Sequence, residues 1–495
     1  LIIFSTLVIT QNQYLHIETI DWDIASYLVA SQEIGKGFLP NETQWESKGP
    51  LFFYMYYFIT LFTGKSFVLF KLVNDFLLFF LAIIIFLIVN LKSKNNDTKS
   101  FFASLFFVLS MSQAWAISGY SEIYSLLFIS SAYLLLIKFN SNNLNYLIIG
   151  LLLSFGTLVN QGTILIAIPF LIYIFRDSIR SSNYKLMWSM LFGMVFPHFI
   201  FLIIYFLNDL LAVYLATYVQ IPLGYTEASF ASFYELKIFI KEFFEFSPIL
   251  YFSIISIIYF FSKGVLINIR EKKLEQTFDF LNQLLVASLL FYFIGSHNYY
   301  HHLIFLLFFI SISIYKINLT LEGILLNSFI LISTIVILIS SFSVSLQNLT
   351  NLDKIQSEYP LYQLSEEIDS YFVNDYEILA LDYVLVLFYL DKPNKSYIVH
   401  PSNHFEEFII STLDSLNIID KDYVGNIILD YEPEVIMCSQ KMIIRGIPTK
   451  STLYNCAVTD YKSNYLQIDT LSYKKSINLN FYFDPYKEIN VYIKK

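Results

Sequence analysis

The chain has 495 residues, 56% hydrophobic and only 14% charged, where a soluble domain carries about a quarter charged residues. A formal net charge of −9 without any basic patch excludes a nucleic-acid-binding protein. Apolar runs long enough to cross a bilayer of roughly 30 Å recur through the first 346 residues, so the sequence describes a polytopic α-helical membrane protein and excludes a barrel.

The first run, LIIFSTLVIT, begins without a methionine and is too short to span alone; it reads as the outer end of a helix whose start is missing. Membrane helices are predicted over 1–14, 67–91, 101–117, 120–138, 146–160, 162–176, 186–207, 247–262, 281–296, 298–316 and 323–346, about eleven in all. The run 49–64 reads as a juxtamembrane or re-entrant helix. Lys92, Lys94, Lys99, Lys138, Arg176, Arg180, Lys185, Lys263, Arg270, Lys272, Lys273 and Lys316 fall on one side of these spans. That side is cytoplasmic by the positive-inside rule. Residues 11–66, the acidic stretch 208–246, the segment 296–301 and everything after Leu346 then lie outside. Lys65 and Lys71 oppose the assignment, which is preferred because it gathers every unusual polar cluster on one surface.

From Asp353 onward charge becomes frequent and apolar runs shorten. YEILALD, KSYIVH and EVIMCS predict strands, while 361–373 and 403–416 predict helices. The expected organisation is a transmembrane module over 1–350 and an extracytoplasmic soluble α/β domain over 351–495. That domain shows no nucleophile elbow, phosphate loop or metal spacing, which leaves acceptor binding or simple support as its role. The only two cysteines, Cys438 and Cys456, lie in it; a disulfide in an oxidising compartment and two buried thiols are both open.

The first outer loop holds the polar residues that bear chemistry. Asp21 and Asp23 precede IASYLVASQEI, for which Asp23 is a natural N-cap and Gly35 a natural end. Lys48 follows in Glu46-Ser47-Lys48-Gly49-Pro50. Polar groups at a membrane boundary are costly unless paired or used. Among the histidines, His297 and His301 are one turn apart and could meet a metal. No third ligand is evident, so histidines lining a polar cavity is the preferred reading. A Tyr-rich loop, YLATYVQIPLGYTEASF, is a candidate for stacking on sugar rings.

The pattern carried by Asp23, Tyr27, Gly37, Pro40, Lys48, Gly49 and Pro50 resembles the first extracytoplasmic loop of the glycosyltransferase-C superfamily. The branch it is most similar to contains bacterial relatives of protein O-mannosyltransferase and of lipid A aminoarabinose transferase. Three weaker echoes are Glu122 in GYSEIYSLLF, the hairpin FGTLVNQGTILIAIP with Asn160 where many such proteins carry Lys, and SHNYYHHLIFLLFF with His302. The resemblance covers roughly 1–346. It implies transfer of a sugar from a polyprenyl-phosphate donor to a glycan, lipid or protein acceptor on the outer face of the cytoplasmic membrane, with inversion. On this reading Asp23 is the general base, with Asp21 second. Lys48 stabilises the leaving phosphate, and Tyr27, Glu122, Tyr299, Tyr300 and His302 are further substrate-binding candidates. No cofactor is required; some members of the superfamily bind a divalent metal, for which Asp21, Asp23 and Glu122 could supply oxygens, and no metal site is assigned.

Competing readings are a flippase or transporter of lipid-linked sugars, an O-antigen ligase or polymerase, and a noncatalytic scaffold. Transporters place ionisable groups within the bundle and carry inverted repeats; here Lys71 and Asp75 are the notable mid-helix charges and no repeat is found. Ligases carry arginines in a large late outer loop, and the outer loops here have almost none. A scaffold leaves the first-loop pattern unexplained.

Overall fold

The structure is a computed structural model that describes residues 1–18, 22–113, 119–139, 142–227, 248–271, 279–294, 300–317, 320–420, 432–439, 443–444, 447–448, 465–471 and 489–494. The chain divides into two compact units: Leu1–Tyr14, Lys71–Phe201 and Tyr225–Thr350 form the first, and Leu15–Phe70, Leu202–Gly224 and Asn351–Lys495 the second.

The first unit is helical. Helices occupy each of the predicted stretches: Ile2–Asn12, Phe67–Lys92, Asp97–Ser110, Ser121–Lys138, Asn143–Val159, Ile164–Arg180, Tyr184–Leu207, Pro248–Arg270, Phe280–Phe293, Leu303–Ser313 and Leu321–Thr350. Among the described residues six helices are long and apolar enough to cross a membrane: Phe67–Lys92, Ser121–Lys138, Gln161–Arg180, Tyr184–Leu207, Leu250–Arg270 and Leu321–Thr350. This is a multi-pass membrane protein. Large apolar side chains such as Trp188, Phe192, Val195 and Phe199 point outward from Tyr184–Leu207, as lipid-facing residues do.

In lipid, apolar area does not drive helices together, so close packing and hydrogen bonds must. Gly150 and Gly193 supply the close packing. A Cβ at Gly150 would lie 2.2 Å from the Met190 carbonyl oxygen, and one at Gly193 would lie 2.4 Å from that of Leu147. Hydrogen bonds add to this: Ser104 Oγ donates to the Ala82 carbonyl at 2.8 Å, Asn348 Nδ2 to that of Asn12 at 2.7 Å, and Tyr124 Oη to Asn74. Lys92, Lys138, Arg180 and Arg270 each sit in the last turn of a helix, where the dipole favours a cation.

The second unit joins the first loop to the tail. Its sheet has the order β1-β2-β6-β5, with β1 Ile378–Ala380, β2 Val435–Ser439, β5 Tyr465–Leu471 and β6 Ile489–Lys494; the short pair β3 Ile443–Ile444 and β4 Ile447–Pro448 stands apart. β1 and β2 run parallel, and the β2–β6 and β6–β5 pairs are antiparallel. YEILALD and EVIMCS thus supply β1 and β2. KSYIVH does not join this sheet: it makes a single parallel bridge, Ile398 to Trp45, with Trp45 N donating to the Tyr397 carbonyl at 2.7 Å and Val399 N to that of Trp45 at 3.1 Å. A strand-like run of residues marks a segment able to pair, not the partner it pairs with. Cys438 is disulfide-bonded; Cys456 lies outside the described residues.

Further contacts bind loop to tail within this unit. Glu18 accepts from the backbone N–H groups of Leu361 and Tyr362 at 2.7 and 2.9 Å, placing its charge at the N-terminus of the helix Pro360–Ser370. Gln44 and Asn394 exchange hydrogen bonds through the Gln44 amide and the Asn394 backbone, at 3.0 and 2.8 Å. Lys65, which opposed the charge-based topology, pairs with Asp391 at 2.7 Å and lies 4.7 Å from the Phe388 ring centroid. The run 49–64 is the helix Pro50–Thr63, started by Pro50 after Gly49 and packed on its buried face by Phe52 and Tyr56 against Tyr27.

Candidate functional site

The Asp23 cluster is built from two segments of the second unit. The helix Trp22–Gln32 places Asp23 in its first turn, one residue inside the helix and not at the expected N-cap position. The helix runs on as a 3-10 turn, Glu33–Lys36, and the left-handed capping residue is Gly37 (φ 97°) instead of Gly35. Gly35 is instead close to the Tyr57 ring, 2.9 Å from where its Cβ would stand. Tyr27 follows Asp23 by one helical turn and is fully buried. Lys48 Nζ lies 5.7 Å from the centroid of the Tyr27 ring, a cation–π approach. Lys48 thus approaches the aromatic residue that stands one turn along the helix from Asp23.

Two residues of the cluster are not among the sequence candidates. His400 Nε2 is 2.8 Å from Asp23 Oδ1, and the two side chains are 9% and 16% exposed. Glu46 is buried, and burial pushes its carboxyl above the usual range, with Asp23 adding to the rise and Lys48 opposing it. Ser47 donates to Glu46 Oε1 from its backbone N–H at 2.8 Å and its hydroxyl at 3.0 Å. Glu46 Oε2 has no hydrogen-bond partner among the described residues. His404 is buried, and desolvation brings its imidazole down to about 3. Asp21 lies outside the described residues.

The first unit holds a second cluster. Glu122 opens the helix Ser121–Lys138 and is fully buried. Asn160, the residue standing where a lysine is common, donates to Glu122 Oε1 at 2.9 Å and to Ser121 Oγ at 3.0 Å, and its own Oδ1 caps Gly162 N at 3.1 Å. Ser121 Oγ donates to Glu122 Oε2 at 3.3 Å. His302 Nε2 is 3.8 Å from Glu122 Oε1, and the His301 ring stacks on Tyr120 at 4.5 Å. Glu122, His301 and His302 bring three ligand atoms within 4.8 Å of one another, a grouping different from the His297–His301 pair considered in the sequence. Two imidazoles and one carboxylate suit zinc, and Asn160 orients the carboxylate from behind as outer-shell partners do. Tyr300 begins the 3-10 turn Tyr300–His302; His297 and Tyr299 lie outside the described residues.

In the Tyr-rich loop, Tyr214 packs among its own kind, 4.7 Å from the Tyr205 ring and 5.2 Å from that of Tyr218. Tyr214 is buried, so its ring serves the internal packing of the second unit.

No protein-family model matches the chain, and no curated protein matches its sequence. Among solved structures, it is similar to the crystal structure of ArnT from Cupriavidus metallidurans bound to undecaprenyl phosphate, with a TM-score of 0.62 at 11% identity. The fold is that of ArnT. The match covers 99% of this chain and 97% of ArnT, so both units lie inside the shared fold. At this identity the likeness concerns the fold alone, and at that level it agrees with the resemblance read from the sequence.

Proposed function

We propose that this chain is a membrane glycosyltransferase that moves a sugar from a polyprenyl-phosphate donor to an acceptor hydroxyl on the outer face of the cytoplasmic membrane, with inversion. The observation that carries this reading is Lys48 over the buried Tyr27 ring, one helical turn from Asp23, with Asp23 and Lys48 both acting on the buried Glu46 carboxyl. A fold shared with a protein solved bound to undecaprenyl phosphate supports it.

Asp23 takes the proton of the acceptor hydroxyl as its oxygen attacks the anomeric carbon. The bond from that carbon to the phosphate oxygen breaks, and the electron pair leaves with the lipid phosphate. Lys48 offsets the charge that develops there, in a partly dry site where a fixed cation acts strongly. No acid is needed, because the phosphate is already a good leaving group. A divalent metal held by Glu122, His301 and His302 would supply Lewis-acid or structural support to the first unit. The tail, with its disulfide, lies outside the membrane on this reading, where oxidising conditions preserve the bond.

The test uses cells lacking the gene, complemented with wild type or Asp23→Asn, and mass spectrometry of envelope lipids, glycans and proteins. The expected result is a sugar-sized mass increment restored by wild type and absent with Asp23→Asn. Full restoration by Asp23→Asn rejects the base; carrier translocation without any sugar increment favours the flippase.

A further inference from the structure

We propose that His400, from the tail, is the positioning residue of Asp23: it holds one carboxylate oxygen by a neutral N–H donor and leaves proton abstraction to the other. This rests on the reading of Asp23 as the base.

The backbone fixes His400 first. It precedes Pro401, which restricts it to extended geometry, and it adopts φ −70° and ψ 123° as N-cap of the 3-10 turn Pro401–Phe405. From there its Nδ1 accepts the Ser402 backbone N–H at 3.2 Å and lies 2.8 Å from Ser402 Oγ. An amide N–H only donates, so Nδ1 must present a lone pair and the ring proton belongs on Nε2. Nε2–H then donates to Asp23 Oδ1 at 2.8 Å. Protonating Nδ1 would forfeit the Ser402 amide bond, so the network favours the neutral donor over an imidazolium.

Ring orientation is fixed from the side. The Trp22 ring meets His400 edge-on, with centroids 6.0 Å apart and planes at 88°. Trp22 is itself anchored, since its Nε1–H donates to Asp382 Oδ1 at 2.8 Å, and the same oxygen accepts the Tyr383 N–H at 2.8 Å. The Trp45–Ile398 bridge sets the height of the strand that ends in His400. Three independent constraints thus aim one nitrogen at one oxygen. A pair this desolvated contributes little net stability, so fixing the carboxylate is the gain. His400 keeps its proton throughout; only Asp23 gains one, on Oδ2, when the acceptor oxygen attacks.

The experiment compares His400→Ala, His400→Gln, Asp23→Asn and the double variant Asp23→Asn/His400→Ala at equal expression in the complemented cells, reading the sugar increment. Binding of undecaprenyl phosphate to each purified protein serves as a control for folding. Expected is a loss of about tenfold to a hundredfold for His400→Ala, the size seen when the support of a metal-bound group is removed. His400→Gln, whose amide N–H can reach the same oxygen, returns within a few-fold of wild type. The double variant is no worse than Asp23→Asn alone, since a support is worth nothing once the base is gone. His400→Gln as poor as His400→Ala, lost carrier binding in His400→Ala, or a further loss in the double variant overturns the positioning role and leaves Asp23 standing as base. Wild-type output from Asp23→Asn alone instead overturns the base.

Discussion

Each unit of this molecule contains a carboxylate beside a histidine, and the two pairs are built differently. In the first unit Glu122 is wholly buried, its oxygens take N–H and O–H donors from Asn160 and Ser121, and His302 stands off at 3.8 Å with His301 alongside. In the second, Asp23 keeps 16% of its side chain exposed and touches His400 at 2.8 Å. Spacing decides the chemistry. A gap of nearly 4 Å between Glu122 and His302 leaves room for a cation, whereas direct contact with His400 fixes one carboxylate oxygen of Asp23, as the proposed base requires.

Removing the charge from each carboxylate separates the two roles most sharply. Asp23→Asn is expected to lower sugar transfer by about 10²- to 10⁴-fold, the usual worth of a general base, with affinity for added zinc unchanged. Glu122→Gln should do the converse to the metal: zinc affinity, read by atomic absorption against a chelator series, falls by at least about tenfold. His301→Ala does the same, and Asp23→Asn should leave that titration where it was.

The units also differ in what holds them together, and a smaller perturbation tests this. Gly193→Val forces a side chain against the Leu147 carbonyl and should cost about 1–3 kcal/mol, read as a lowered unfolding temperature in detergent. The same change at Gly37, whose left-handed cap has open space around its Cβ position, strains the backbone instead, by about 1–2 kcal/mol.

A pair of opposed pH slopes is expected in the second unit. The His404 imidazole lies at about 3 in the folded chain against 6.5 unfolded. Only the unfolded chain takes that proton as pH falls below 6.5, so stability declines from there toward about 3. The Glu46 carboxyl is raised, so its contribution is complete at low pH and lost as pH climbs through the raised value. His404→Phe should flatten the acid side of a stability–pH curve and Glu46→Gln the alkaline side.

How much of this could be read from residues alone depended on distance along the chain. The helices were legible because an apolar run of membrane length has few other fates. Asp23, Tyr27 and Lys48 could be singled out because they lie within one loop and their spacing is a pattern. Glu46 sits in the same loop and was passed over, since nothing in Glu-Ser-Lys-Gly-Pro says which charge becomes buried. His400 is 377 positions from Asp23; its one local signal is His-Pro-Ser, a capped turn that fixes a ring without naming its target. Glu122 with His301 and His302 was hidden likewise, because helix packing brings them together and periodicity does not. The segment KSYIVH had the length and the aromatic and β-branched residues of a strand and found Trp45 as its partner.

The Trp45–Ile398 bridge joins residues 353 positions apart (398 − 45). At synthesis rates of about 5–20 residues per second, roughly 20 to 70 s separate the making of its two sides. For that interval the nascent chain carries Asp23 without its contact to His400, so the cluster can be completed only after nearly the whole chain has been made.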